Sequence, residues 1–287
     1  MRPARFLWLL FVPALLYSQV RIDRLVGPLH AERDVLYLWS AKHVRLLFPG
    51  FENLAADIYW LRTVQYFGGQ RLFAREKSFE LLSPLIDITT TLDPRLEIAY
   101  RYGAIFLSEP VPFGAGRPHD GIALLERGVR ALPASWRLRQ DLGFFEFLYL
   151  RDARRASEVL RDASDIPGAP FWLRSMAADV LTRGGERGMS RRMWQEMYQQ
   201  AEEGVFKVNA RTQLQVLDAL DQADSLTQLV KHYEARYGRR PASLDELIHA
   251  GMLRASPADP AGIPFVYDRM SGMVGVSPSS PLWRPAG

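Results

Sequence analysis

Pro133 and Pro167 lie 34 residues apart, and each closes a similar helical pattern. The first ends Leu124-Leu125-Glu126-Arg127-Gly128-Val129-Arg130-Ala131-Leu132-Pro133, and the second ends Glu158-Val159-Leu160-Arg161-Asp162-Ala163-Ser164-Asp165-Ile166-Pro167. Leu142-Gly143 sits ten residues after Pro133, and Ala156 sits thirteen after Gly143. Small residues at those places let two helices cross closely. A unit of this length holds two helices and a turn, and it cannot bury its apolar face alone, so its neighbours must stack on it. Stacks of this kind build binding surfaces rather than reaction centres.

The same pattern extends on both sides. Residues 52–67 form the clearest helix, with Leu54, Ile58, Leu61 and Gln65 on one stripe and Ala55, Tyr59, Arg62 and Tyr66 on the next. Asn53 is its expected N-cap and Gly68-Gly69 its expected stop. A second helix is predicted over 73–91 with a kink at Pro84, and Asp93-Pro94 opens the next pair. That pair begins at Leu96–Phe106 and continues over 120–131. Gly103 to Pro133 is 30 residues where a regular repeat needs about 24. The surplus is the loop Glu109-Pro110-Val111-Pro112-Phe113-Gly114-Ala115-Gly116-Arg117-Pro118, and such loops often carry contacts. The third unit spans 134–167. A fourth pairs helices at 171–183 and 189–202 across Gly184-Gly185, and 205–232 is a helical cap.

Residues 94–202 resemble degenerate tetratricopeptide (TPR) repeats, which implies an α-solenoid whose first helices line a concave groove. The run Gly50-Phe51-Glu52-Asn53-Leu54-Ala55-Ala56-Asp57-Ile58-Tyr59-Trp60-Leu61-Arg62, with Gln65-Tyr66-Phe67-Gly68, is similar to the first helix of a bacterial group of single-pass TPR proteins; that match implies architecture and no activity. The stretch Tyr237…Pro241…Leu244…Leu247…Gly251-Met252-Leu253…Pro257…Asp259-Pro260-Ala261-Gly262-Ile263-Pro264-Phe265-Val266-Tyr267 is similar to the C-terminal part of type II secretion pseudopilins. It departs from them in lacking the prepilin-peptidase site and long N-terminal helix, and in carrying Ala261 where their turn has Trp. The chain is therefore not a pseudopilin, and the match implies an extracytoplasmic setting in envelope assembly or secretion.

Locally, Ser243 and Glu246 read as the two halves of a capping box for a short helix. Two apolar runs around Arg269–Gly272 read as a β-hairpin, and 278–287 as an extended tail.

The 36 basic and 32 acidic residues nearly balance, and residues 1–25 hold a net +3 of the total +4. The remainder is about neutral, which argues against a nucleic-acid footprint. The absence of Cys excludes disulfides, thiolate metal sites and thiol nucleophiles. Residues 6–20 are uncharged and follow Arg2 and Arg5, a positive n-region before an apolar h-region. The run is short of the ~20 residues a relaxed spanning helix needs, but Arg5 and Arg21 can snorkel and lengthen it. No small-x-small cleavage site follows, since Ser18 has Leu16 two positions earlier. An uncleaved signal anchor is expected over a cleaved signal or a buried N-terminal helix. Residues 20–33 then read as a linker with Gly27-Pro28 as breaker. Val35–Trp39 reads as a short strand, and Ser40 as the cap of a helix running to about Phe48.

Reaction chemistry is sparse. The five His residues, at 30, 43, 119, 232 and 249, show no metal-ligand spacing. His119-Asp120 reads as a helix start, with Asp120 at the positive end of the dipole. Asp57 and Arg62 read as a buried or half-buried polar pair that fixes helix packing, in preference to a ligand site. Gly114-Ala115-Gly116 lacks the strand–loop–helix frame of a phosphate loop. Most aromatics sit at helical spacing and belong to the core. Tyr100, Tyr102 and Phe106 are the candidates for the groove, and Phe113 and Arg117 for the inserted loop. No catalytic, cofactor-binding or metal-binding residue is predicted.

The sequence thus predicts a mainly α, TPR-like solenoid of helical hairpins with a small C-terminal α+β cap. Its segments are an anchor at 1–24, an entry segment at 25–51, repeats at 52–235, the α+β segment at 236–277 and the tail at 278–287. The expected protein is a single-pass bacterial inner-membrane protein with its body in the periplasm, or otherwise outside the cytoplasm. It is expected to bind a protein or peptide partner without catalysis. A structural subunit of a large membrane complex is the first alternative and an envelope hydrolase the second.

Overall fold

The structure is a computed structural model that describes residues 41–47, 49–74 and 76–284, together with Tyr17, Ser18 and Arg21. The predicted anchor, linker and strand at 35–39 lie outside the described residues apart from those three positions. No helix among the described residues is long and apolar enough to cross a membrane. The chain is mainly helical, with eleven helices among the described residues and one two-stranded sheet. It divides into two compact units, Met1–Asp93 and Pro94–Gly287.

The first unit holds α1 (Ala41–Leu47), α2 (Glu52–Leu72) and α3 (Leu82–Leu92). Helix α2 buries Ala55, Ala56, Tyr59, Thr63, Tyr66 and Phe67, and α3 buries Leu82, Leu85, Ile86 and Ile88. Full burial of each large aliphatic side chain contributes about 1.5–3 kcal/mol. The β-branched threonines are tolerated because Thr63 donates to the Tyr59 carbonyl and Thr89 to the Leu85 carbonyl, each at 2.8 Å.

Three local expectations are corrected here. Helix α2 runs through Gly68-Gly69 to Leu72, and it starts at Glu52 after Phe51 with no side-chain cap from Asn53. No helix spans the described residues between Leu72 and Leu82, because side chains of α2 take up their backbone groups. The Tyr66 hydroxyl donates to the Ser78 carbonyl at 2.7 Å, the Ser78 amide donates to Gln70 Oε1 at 3.1 Å, and Phe79 rests on Phe67. Pro84 falls in the first turn of α3, where its missing N–H is an orphan anyway, so it needs no kink.

The second unit opens with three consecutive helical pairs. They are α4 (Glu97–Ser108) with α5 (Pro118–Ala131), α6 (Trp136–Tyr149) with α7 (Ala153–Ser164), and α8 (Trp172–Arg183) with α9 (Arg187–Gln200). Each helix packs on the next. The crossings rest on small residues. A Cβ on Gly128 would stand 2.8 Å from the Tyr100 ring, and one on Gly143 would stand 2.7 Å from Leu160 Cγ and 3.2 Å from the Ala156 carbonyl. Alternate helices also touch. Arg101 on α4 pairs with Asp141 on α6 at 2.5 Å, and the Trp136 ring meets Trp172 edge-on at 6.2 Å. Across α7 and α9, the Ser157 hydroxyl faces Met193 Sδ at 3.7 Å. First helices thus neighbour first helices, and second helices neighbour second helices. Two helices are capped from the turn before them, by Ser135 on the Leu138 amide and by Asp152 on the Arg155 amide.

Helix α10 (Val205–Tyr237) is 33 residues long, or roughly 50 Å at the α-helical rise. Arg187 and Arg191 of α9 reach Asp218, Asp221 and Asp224 on its flank. It ends at Gly238, which adopts φ +70° as a left-handed cap requires.

Beyond it lie α11 (Leu244–His249), β1 (Val266–Asp268) and β2 (Met273–Gly275), the antiparallel hairpin expected around Arg269–Gly272. Leu226, Val230, Tyr233, Leu247, Phe265 and Val274 share one core. The Val274 amide donates to Thr227 Oγ1 at 3.0 Å and ties the hairpin to α10. The tail is corrected: Ser280 and Leu282 are buried in a turned segment, and Leu282 packs on Val216 and Ala219 of α10.

The capping box expected from Ser243 and Glu246 is corrected, because Glu246 reaches one residue past the N-cap. The Ser243 side chain makes no cap bond, while the Glu246 carboxylate accepts from the Ala242 amide and from Arg239. Arg239 foremost, with that amide, holds the Glu246 carboxyl at about 2. Its native state therefore binds fewer protons than the unfolded chain, whose Glu titrates near ~4.3. The stability it confers is fully present above that value and is lost as pH falls toward 2. Acidification from pH 6 to 2.5 should lower the thermal midpoint of the C-terminal segment, and Glu246→Gln should reduce that dependence. A midpoint that rises with acid, or the same slope in the variant, would overturn the assignment.

Candidate functional site

Helix α4 has two faces. Ala99, Tyr100, Gly103, Ala104 and Leu107 are buried. On the opposite face Ile98, Tyr102 and Ile105 are exposed at spacings of four and three, which stack them along one stripe. Helix α6 exposes Phe144 and Leu148 along a flank beside the buried Leu138, Leu142 and Phe145. The Arg101–Asp141 pair bridges the two helices. Arg101 Nε lies 2.5 Å and its NH2 group 3.3 Å from the two carboxylate oxygens. That hydrogen bonding pushes the Arg101 pKa further above its ordinary value. The ion pair thus links two helices that each expose apolar side chains.

The inserted loop closes against the end of α4 through its backbone. The Ala115 amide donates to the Phe106 carbonyl at 3.1 Å, and the Arg117 amide to the Leu107 carbonyl at 2.7 Å. Gly114 is buried, and a Cβ there would meet Glu109 at 2.5 Å, so the loop needs glycine at this contact. Phe113 is exposed at its tip, and the Arg117 guanidinium lies 3.5 Å from Asp120. Helix α5 starts at Pro118, two residues earlier than expected, and carries Asp120 in its first turn with His119 exposed beside it.

The predicted site residues divide accordingly. Tyr102 and Phe106 come together, ring to ring at 6.4 Å. Phe113 and Arg117 sit on the folded loop. Tyr100 is corrected: it is 1% exposed and packs against Gly128, so it belongs to the core. The Asp57–Arg62 expectation is corrected too. Asp57 is exposed, the Arg62 guanidinium lies over the Tyr59 ring at 5.4 Å, and no ion pair joins the two among the described residues. Five positions on a helix are roughly 140° apart, which keeps them from meeting.

Sequence reasoning missed Ile98, Ile105, Phe144 and Leu148. The signal was present in the small residues Ala99, Gly103 and Ala104, which mark the buried side of α4 and leave the large residues opposite.

Other concavities carry less. A groove of about 360 Å³ between α7 and α9 has Met189, Met193 and Met197 along α9, with Arg154, Arg161 and Arg192 at its rim. Arg154 is engaged by Glu186 at 2.8 Å, and Glu158 and Glu196 line the same groove, which leaves little net field. Burial pushes the Glu146 carboxyl of α6 up, but it lies under the helices, away from the exposed stripes. No group of three or more His, Asp or Glu that could hold a metal occurs among the described residues. No protein-family model, curated protein or solved structure matches the chain.

Proposed function

We propose that this chain is a membrane-tethered, extracytoplasmic TPR-like solenoid that holds a protein or peptide partner in an envelope, secretion or pilus-type assembly. The reading is supported above all by the face of α4 and α6, where Ile98, Tyr102, Ile105, Phe144 and Leu148 stand in water on helices that are otherwise well buried. Side chains of this size gain about 1.5–3 kcal/mol each on full burial. Association costs at least about 4 kcal/mol in lost freedom. These five are 36–51% exposed, so a partner that covers them gains the remaining part of that burial, and Phe113 and Arg117 are residue types that commonly anchor interfaces. The tether rests on the apolar run at 6–20 behind Arg2 and Arg5.

The test compares pull-downs from detergent-solubilised membranes. Ile105→Asp with Leu148→Asp should abolish recovery of the partner that the unmodified chain retains, while the thermal midpoint stays nearly unchanged, because exposed substitutions usually shift stability by about 0.5 kcal/mol or less. Phe113→Ala with Arg117→Ala should weaken recovery less. Retained partner with a lowered midpoint would mean that the stripe is packing and not a docking face.

A further inference from the structure

Helix α2 seats one face on α3 and leaves the other uncovered by any described residue. The uncovered face is spaced by threes and fours: Phe51, Leu54, Ile58 and Leu61, followed by Gln65 and Gly68. These are a and d positions of successive heptads. The four apolar residues are 49–63% exposed, whereas Ala56 and Thr63, at the f position on the opposite side, are 0% exposed. The seam therefore points away from the core of its own unit.

Two further observations say what covers it. Gly68 and Gly69 lie inside the helix, where glycine is less favourable than Ala. A Cβ built on either meets nothing within 4 Å, so packing among the described residues does not require them. A glycine at a d position admits a second helix backbone. The other observation is charge. Asp57 falls at g and Arg62 at the following e. Within one helix they cannot meet, but across two parallel strands in register, g faces the following e of the other strand.

We propose that α2 is the seam of a parallel homodimer, in which two copies of this chain form a short two-stranded coiled coil over Phe51–Gly68. Asp57 of each copy bonds Arg62 of the other, and two-fold symmetry makes the pair twice. Gln65 meets its own copy at an a position, the polar device that fixes register and strand number. The seam is short, but α2 is already ordered by α3, so association does not bear the cost of helix nucleation. The dimer is independent of the partner face on α4 and α6.

The absence of Cys makes a clean test possible. Full-length chain in membranes would carry Leu54→Cys or Leu61→Cys, with exposed Asn53→Cys as the off-seam control, and be mildly oxidised. The seam variants should give a disulfide-linked dimer and the control none. Asp57→Arg, added to Leu54→Cys, should cut the dimer yield several-fold. Adding Arg62→Asp to that variant should restore it. Equal linking at Asn53→Cys, as a dimer held only through residues 6–20 would give, overturns the proposal. So does a seam thiol shielded from maleimide without dimer, which would mean another occupant. Failure of the charge swap to restore linking overturns the parallel register.

Discussion

Gly143→Leu should lower the thermal midpoint of the second unit markedly and leave the first unit unaffected. Even the first carbon of a side chain at this position would sit 2.7 Å from Leu160 Cγ and 3.2 Å from the Ala156 carbonyl. Leu160 can shift a little; a carbonyl on a packed helix cannot. The remaining leucine atoms must then wedge α6 from α7, and overpacking of this kind costs about 1–3 kcal/mol, occasionally more. In a unit of this size each kcal/mol moves the midpoint by roughly 2–4 °C. Gly143→Ala should show a smaller loss in the same direction. Calorimetry of the full chain reads both, and an unchanged midpoint for the leucine variant would mean that the two helices do not cross here.

Asp259→Ala should release the C-terminal segment while the helical pairs stay folded. The Asp259 side chain is buried, and its carboxylate accepts from the Ala261 and Ile263 amides, each at 2.9 Å, and from the Ser280 hydroxyl. Burial pushes its pKa up, but Ser280 and these amides together outweigh that and hold it below the usual range. The carboxylate thus closes the Asp259–Gly262 turn and also clips the tail to it. Removing it strands the buried Ser280 hydroxyl, at about 1–3 kcal/mol, and frees the two part-buried amides of the turn. Hydrogen exchange should show lost protection at the Val274 amide and little change at Leu173. Protection retained at Val274 would mean that the turn is held by its backbone alone.

The existence of the helical pairs was legible from sequence because it follows from 3.6-residue periodicity and from glycines at crossings. Gly143 and Ala156 read as close contacts, and they are. Boundaries failed where tertiary contacts overrode local preference. Nothing local says that α2 continues past two glycines, or that Tyr66 and Gln70 hold the following segment out of a helix. The candidate face was half legible. Tyr102 and Phe106 stand ring to ring, whereas Tyr100, grouped with them by sequence, lies against Gly128 in the core. A two-residue shift on a helix turns a side chain by about 200°, so neighbouring aromatics rarely share a face. The tail was misread because Pro and Ser suggest extension, while the long-range seat for Leu282 lies some 65 residues earlier, at Val216 and Ala219.

That seat changes how the molecule comes apart. Segments that lie beyond the helices of a fold and pack on little are ordinarily the first to loosen. Here Leu282 is lodged on the flank of α10, and the hairpin between them is bonded to the same helix through Thr227. The segment around Leu282 is therefore looped back and fastened upstream of the hairpin it follows. A force that pulls on the chain beyond Leu282 must draw that side chain out of its seat before it can strip the hairpin. Resistance there is set first by the Leu282 seat and the Asp259–Ser280 bond, and then by the hairpin's own core and its tie to Thr227.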